Sequence, residues 1–344
     1  MGDGELQQQS SIGKRVVCFG EAMIRLTPPG NERVERTMSL NLSPGGAELN
    51  TAVTLACLGL RPTWVSRLPI NALGRFLSRQ ATAHGVDLSS VQWVPESEGR
   101  MGLYFLEEGV DPRPSAVTYD RAASAMANVT SGAFDWPSIL AGAAAFHISG
   151  ITPAISEGAR VESFAAMQAA NAAGVPVFFD LNYRSKLWSI EDAKACFVEL
   201  APLIDVLFAG RGSMGTFFGI EGEHEEVMRG ARTKLGVAAC VLTRKKAKAS
   251  RAIRLKSMAV GVTDQYVETD WRSVEIVDRL GGGDAFAGGF IAGYLENSDD
   301  LTRAIDLGLA ASALKHTVPG DFLAASRAEI EAAAVSDLVG VLQR

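Results

Sequence analysis

Short apolar runs alternate with segments of helical periodicity along most of the chain, and this alternation limits the possible folds more than any other feature. RVVCFG ends in glycine. AELNTAVTLACLG carries apolar residues at helical spacing and closes on Gly59. PTWVSRL reads as the next strand and LGRFLSRQATAHG as the next helix. The pattern recurs through AAAFHISG, ESFAAMQAANAAG, VPVFFDLN, AKACFVELAPLI, DVLFAG and VAACVLT. Strands that are apolar on both faces, separated by helices, predict an α/β fold with a mainly parallel sheet covered on both sides. Ligands of such sheets bind at the carboxyl ends of the strands, so the residues after VVCFG, VPVFFD, DVLFA and CVLT are the ones to inspect.

Two polar, strand-like segments break the alternation, one near residues 30–45 and one near 100–121. No helix separates their strands, so they are expected to pair as a small β lid that excludes water from a site beneath it. The 344 residues admit two domains, but no linker separates two independent units and no internal repeat occurs. The expected organisation is one α/β body at 15–30, 46–98 and 122–335, a lid at 31–45 and 99–121, and a disordered leader at 1–14.

Charge and cysteine usage narrow the function class. The net charge of −6 argues against nucleic acid or an anionic membrane as main partner. No apolar run reaches the roughly 18 residues of a spanning helix. Cys18, Cys57, Cys196 and Cys240 each sit in an apolar run without metal-binding spacing, as buried hydrophobes of a reducing compartment do. A cytoplasmic enzyme is the expectation.

The chemistry concentrates in VDRLGGGDAFAGGFIAGYL, residues 277–295. Three glycines before a helix leave backbone N–H groups free to converge on an anion, and the helix N-terminus adds partial positive charge. Gly281, Gly282 and Gly283 are therefore expected to form a phosphoryl socket, with Asp284 placed as a general base. The competing reading of Asp284 is a helix N-cap.

The segment Asp278-Arg-Leu-Gly281-Gly282-Gly283-Asp284 resembles the D-T-x-G-A-G-D signature of the ribokinase-like (PfkB) carbohydrate kinases, and SPGGAELNTAVTLACLGL resembles their G-G-x-x-x-N motif. The resemblance runs from about Arg15 to Asp321. It implies a three-layer α/β/α fold with a lid, ATP and Mg2+ as cofactors, and Asp284 as base beside the anion hole. Within the family, GLYFLEEGVDPRPSAVTYDRAASA, FDLNYRSKLW and ALKHTVPGDF resemble the 2-keto-3-deoxygluconate kinases. That narrower likeness implies a sugar-acid site made of Gly45, Gly46, Asn50, Tyr104, Tyr119, Arg121, Arg184 and Asp284. It also implies nucleotide contacts from Asn182, Arg184, Thr243, Arg244, Gly281 and Gly283. Arginine suits a carboxylate because its planar fork binds two oxygens at once. In GEAMIRL, Arg25 stands near the place where neutral-sugar kinases of the family hold an Asp, a change that also fits an acidic substrate. Family relatives further imply a homo-oligomer, a dimer paired through the lids. The alternatives are a fructokinase or 5-dehydro-2-deoxygluconokinase type, or a kinase-like binding protein.

Three departures stand out. The family's N-x-x-E motif is replaced by Gly210 and Ser213, which leaves the magnesium ligands unknown. The T-x-G-x-x-G loop keeps Thr243, has no glycine and carries seven basic residues from Arg244 to Lys256. Arg244, next to the strand end, is the candidate there for ATP phosphates. Gly210-Arg-Gly212-Ser-Met-Gly215 is a literal G-x-G-x-x-G, but no strand ending in an acid follows about 20 residues on, so a dinucleotide site is not expected.

Overall fold

The computed structural model describes residues 11–249 and 251–335. The chain begins with β1 (Arg15–Phe19), β2 (Met23–Thr27) and β3 (Asn41–Gly45), then α1 (Ala47–Cys57), β4 (Arg61–Pro69), α2 (Ala72–Ala83) and β5 (Val91–Val94). Next come β6 (Leu103–Glu107), β7 (Ala116–Asp120), α3 (Trp136–Leu140), β8 (Ala145–Ser149), α4 (Thr152–Ile155), α5 (Glu157–Ala172) and β9 (Val177–Asp180). It continues with α6 (Ile190–Leu200), β10 (Val206–Ala209), α7 (Arg211–Phe218), α8 (His224–Leu235), β11 (Ala239–Ala249) and β12 (Ala252–Val260). The last elements are β13 (Tyr266–Glu268), β14 (Arg272–Glu275), α9 (Gly282–Glu296), α10 (Thr302–Lys315) and α11 (Arg327–Val335).

The large sheet runs β13-β12-β11-β10-β9-β8-β1-β4-β5, with β14 also on β12. From β11 to β5 every pairing is parallel, while β12 returns antiparallel to β11. Apolar residues fill both faces. Trp64, Phe178 and Phe290 pack on the side of α1, α9 and α10. Phe146, Phe179, Phe197 and Met214 pack on the side of α5 to α7. The three-layer α/β/α architecture is the one expected. Among the described residues no helix is long and apolar enough to cross a membrane.

The small sheet is β3-β2-β6-β7, and here the expected boundaries shift. Met23–Thr27, assigned from sequence to the α/β body, pairs in register with β3 and β6. Met-Ile-Arg-Leu-Thr reads as a continuation of the first apolar strand, and only the turn at 20–22 redirects it to the second sheet. The other end of the body also shifts. Ser11 is buried and its hydroxyl donates to Glu296, while Lys14 donates to the Leu295 carbonyl. Residues 11–14 of the expected leader are thus pinned to the end of α9, and residues 1–10 lie outside the described residues.

Candidate active site

The first turn of α9 stands between two cavities at the carboxyl ends of the strands. The larger, about 650 Å³, is roofed by the small sheet and reaches Gly281 and Asp284. The smaller, about 270 Å³, lies over β9, β10 and β11 and reaches Gly283.

Gly281 is the N-cap of α9, with φ of +79° and no side-chain cap. A Cβ there would lie 2.0 Å from the Asp321 carbonyl oxygen and would be forced into the left-handed region, so the turn requires glycine. Gly282, Gly283 and Asp284 open the helix, where first-turn N–H groups have no acceptor within it. Asp284 is consequently not the cap. Its carboxylate lies inward and accepts from the Asn50 amide at 2.7 Å. Thr51 ties α1 to the same turn by donating to the Asp284 carbonyl at 3.1 Å. Burial raises the Asp284 pKa to about 6; Asn50, Arg184 and Lys245 oppose that rise, and Asp321 adds to it. A base with that value is ionised at neutral pH yet close enough to it to hold a proton in transit. Asp180, at the end of β9, is raised to about 7, first by burial and then by the charge of Asp284.

Gly45, Gly46, Asn50, Tyr104, Tyr119, Arg121, Arg184, Gly281 and Asp284 all line the larger cavity. Gly45 leaves room where a Cβ would lie 2.1 Å from the Tyr104 hydroxyl. Asn182, Thr243 and Gly283 line the smaller one. Asn182 adopts a positive φ, and its N–H donates to the Asp180 carboxylate at 3.1 Å.

Two of the sequence-derived candidates lie elsewhere. Gly282 lines neither cavity; it is buried, and a Cβ on it would meet the His316 ring at 2.2 Å. Its role is to admit that ring behind the socket. Arg244 also lines neither cavity, because its guanidinium sits 5.3 Å from the centre of the Trp271 ring, beside Lys246 and Arg254. Strand alternation turns it to the far face of β11.

Arg25 departs further from expectation. It is buried, and it binds Asp278 at 2.6 Å and Asp321 at 2.9 Å. Asp321 also accepts from the Tyr104 hydroxyl at 2.7 Å. This guanidinium is committed to acids of the protein and does not line the cavity. Nor is the acid of the first strand end lost. Glu21 lines the cavity and accepts from Arg121 and Ser124. Arg121 is therefore half committed, although its Nε is buried with no hydrogen-bond partner among the described residues. Arg184 lines the cavity and forms no ion pair among the described residues. Asp180, Glu21 and Lys186, which the sequence reading did not single out, belong to the site. Lys186 donates to the Val117 carbonyl at 2.9 Å from its place over the Tyr119 ring.

Comparison with known proteins agrees with this geometry. The model of the pfkB family carbohydrate kinases matches residues 14–326. A 2-dehydro-3-deoxygalactonokinase of Haloferax volcanii is 38% identical over 319 residues, 92% of this chain and 95% of the relative. A 2-dehydro-3-deoxygluconokinase of Bacillus subtilis is 30% identical over 310 residues, 89% of this chain and 90% of the relative. The crystal structure of a 2-dehydro-3-deoxygluconokinase from Thermotoga maritima superposes with a TM-score of 0.90 at 36% identity, covering 95% of this chain and all of that one. With a glycine turn at a helix N-terminus and a buried carboxylate between two cavities, and with this likeness over nearly its whole length, the chain belongs to the pfkB family of carbohydrate kinases.

Proposed function

We propose that the protein transfers the γ-phosphoryl of ATP to the terminal hydroxyl of a 2-keto-3-deoxy sugar acid, the gluconate- or galactonate-derived form. The observation that carries the substrate class is Arg184, a cavity-lining guanidinium on the sugar side of Asp284 that forms no salt bridge among the described residues. A cation without a salt-bridge partner in a partly enclosed site favours an anionic ligand, and a bidentate arginine–carboxylate pair is worth about 1.5–3 kcal/mol. The relatives named for such sugar acids add support.

In this reading the sugar lies in the larger cavity with its hydroxyl at Asp284, and the nucleotide enters from the smaller one. Asp284 accepts the hydroxyl proton as the oxygen attacks phosphorus in line. The N–H groups of Gly283 and Asp284 hold the phosphoryl oxygens as their charge grows. Tyr104 and Arg25 fix Asp321 behind Gly281, which keeps the turn in place.

Magnesium fits the residues present. Among the described residues no cluster of three or more metal-binding side chains occurs, but Mg2+ bound to a nucleotide needs only one or two carboxylates besides phosphates and water. Asp180, in the smaller cavity and repelled by Asp284, would hold it. When bound, the ion neutralises phosphate charge. We also infer a dimer paired through the small sheets, on which Leu42 is half exposed, and a cytoplasmic setting.

A kinetic panel of sugar acids and neutral hexoses with ATP and Mg2+ tests the assignment. The preferred sugar acid is expected to exceed any neutral hexose in kcat/KM by about 100-fold. Arg184→Met is expected to raise the acid's KM by roughly 10–100-fold while moving that of a poor neutral substrate little. A neutral hexose that wins the panel overturns the substrate assignment.

The acid limb of the pH profile checks the base. Asp284 and Asp180 face one site with values of about 6 and about 7. A base acts ionised, so kcat/KM should be flat above the limb and fall as pH drops through it. The midpoint is expected between about 6 and 7, well above an ordinary carboxylate near about 4. A midpoint below about 5 contradicts the raised values.

A further inference from the structure

We infer that Lys245, on the hairpin of β11 and β12, contacts the transferring phosphoryl group and stabilises its charge. This inference rests on the kinase reading above.

Strand geometry places the side chain. Opposite residues of an antiparallel pair share a face, and neighbours along a strand alternate. Thr243 is paired with Ser257 and Lys245 with Leu255. Ser257 donates to the Ile305 carbonyl of α10 at 3.2 Å, and Leu255 packs with Leu309 and Ala313 of the same helix. This face of the hairpin is therefore the one turned to α9 and α10. Thr243 already lines the smaller cavity with Gly283 and Asp180. Lys245 follows two residues on, roughly 7 Å farther along the same face, within reach of the socket for a side chain of its length. On the other face Arg244, Lys246 and Arg254 crowd the Trp271 ring at 5.3, 4.6 and 5.4 Å. Those three cations are held on the opposite face, and Lys245, an exposed side chain that lines neither cavity, is the cation that shares the face of Thr243.

Electrostatics agree with the geometry. Desolvation lowers the Lys245 pKa from the ordinary lysine value although the side chain stays solvent-accessible, and the charges of Asp284 and Asp180 oppose that shift. Burial lowers the pKa of His316, whose ring lies behind Gly282, and the same ammonium adds to that shift. Its charge therefore acts on the base, on the second carboxylate and on the back of the socket together.

A glycine loop would supply only backbone N–H groups to phosphate. In this chain the run after Thr243 is RKKAKAS, without glycine, and Lys245 supplies an ammonium instead. In the transfer step the sugar oxygen forms the new P–O bond while its proton passes to Asp284. The bond from γ-phosphorus to the bridging oxygen breaks, and its electron pair leaves with ADP. Lys245 stays protonated throughout and donates to an oxygen of the moving group.

The test compares Lys245→Met, Lys245→Arg and Lys248→Met in steady-state kinetics, with calorimetric binding of ADP and of the non-hydrolysable analogue AMP-PNP. Lys245→Met is expected to lower kcat by about 100-fold and to weaken AMP-PNP about tenfold, with ADP affinity within about threefold. Lys245→Arg should recover about a tenth or more of wild-type kcat, and Lys248→Met should stay within about twofold. A Lys245→Met kcat within about threefold of wild type overturns the assignment, as does an equal loss of ADP and AMP-PNP affinity. Failure of the wild type to phosphorylate any sugar acid would instead sink the substrate reading. The ADP against AMP-PNP comparison needs no sugar and separates the two failures.

Discussion

Asp284→Asn is expected to reduce kcat by roughly 10³-fold or more while leaving ADP affinity within about threefold of wild type. The substitution is nearly isosteric. The Asn50 amide, which donates to this carboxylate at 2.7 Å, finds an amide oxygen in its place, so the link between α1 and α9 survives. The N–H groups of the socket are backbone and remain. What disappears is an acceptor for the hydroxyl proton, and a positioned base contributes roughly 10²–10⁴-fold. The residual rate should also lose the part of the acid limb near about pH 6 that Asp284 produces, leaving only the part that belongs to Asp180. A variant within about tenfold of wild-type kcat would show that the proton leaves by another route.

The parts of this molecule legible in its sequence are those set by local pattern. Apolar runs broken by helical periodicity gave the layers, and three glycines before Asp284 gave the socket, because a helix start and a tight turn are encoded within a few residues. The misreadings share a different cause. Arg25 was read as a change that fits an acidic substrate because its acids, Asp278 and Asp321, lie about 250 and 300 residues away in the sequence and meet it only in the fold. Arg244 was preferred over Lys245 for nearness to the strand end, although the parity of the strand decides which of the two faces the cleft. The sequence signal for Lys245 was available: Thr243 was already assigned to the nucleotide, and residues two apart share a face. Met23–Thr27 was merged with the body since hydrophobicity shows a strand but not the sheet it joins. Asp180 stood in FDLNYRSKLW, yet a carboxylate at a strand end reads equally as a turn former.

Arg25→Met separates a structural arginine from a substrate arginine. Arg25 is only 3% exposed, and its ion pairs with Asp278 at 2.6 Å and Asp321 at 2.9 Å join the small sheet to the loops on either side of α9. Those acids raise its pKa above the ordinary arginine value in spite of burial, the largest influence on it. Removing the cation leaves two buried carboxylates facing each other. Asp278 keeps the N–H groups of Leu280 and Gly320, and Asp321 keeps the Tyr104 hydroxyl, which offset only part of the loss. Breaking a buried pair in this way costs about 3–5 kcal/mol. For a chain of this size that corresponds to a fall in melting temperature of roughly 4–8 °C. Because Asp321 backs Gly281 at the socket, kcat should fall as well. The ratio of kcat/KM for sugar acid over neutral hexose should stay within about threefold of wild type, since Arg25 does not line the cavity. Arg184→Met should do the reverse, losing that ratio while keeping the melting temperature within about 2 °C, as a cavity-lining side chain without an ion pair contributes little to folding. Adding Asp321→Asn to Arg25→Met removes one of the stranded charges and should recover part of the lost stability, a coupling that a double-mutant cycle measures. If Arg25→Met instead abolishes the preference for acids with no change in melting temperature, then this arginine reaches the substrate and the buried network described here is not its principal role.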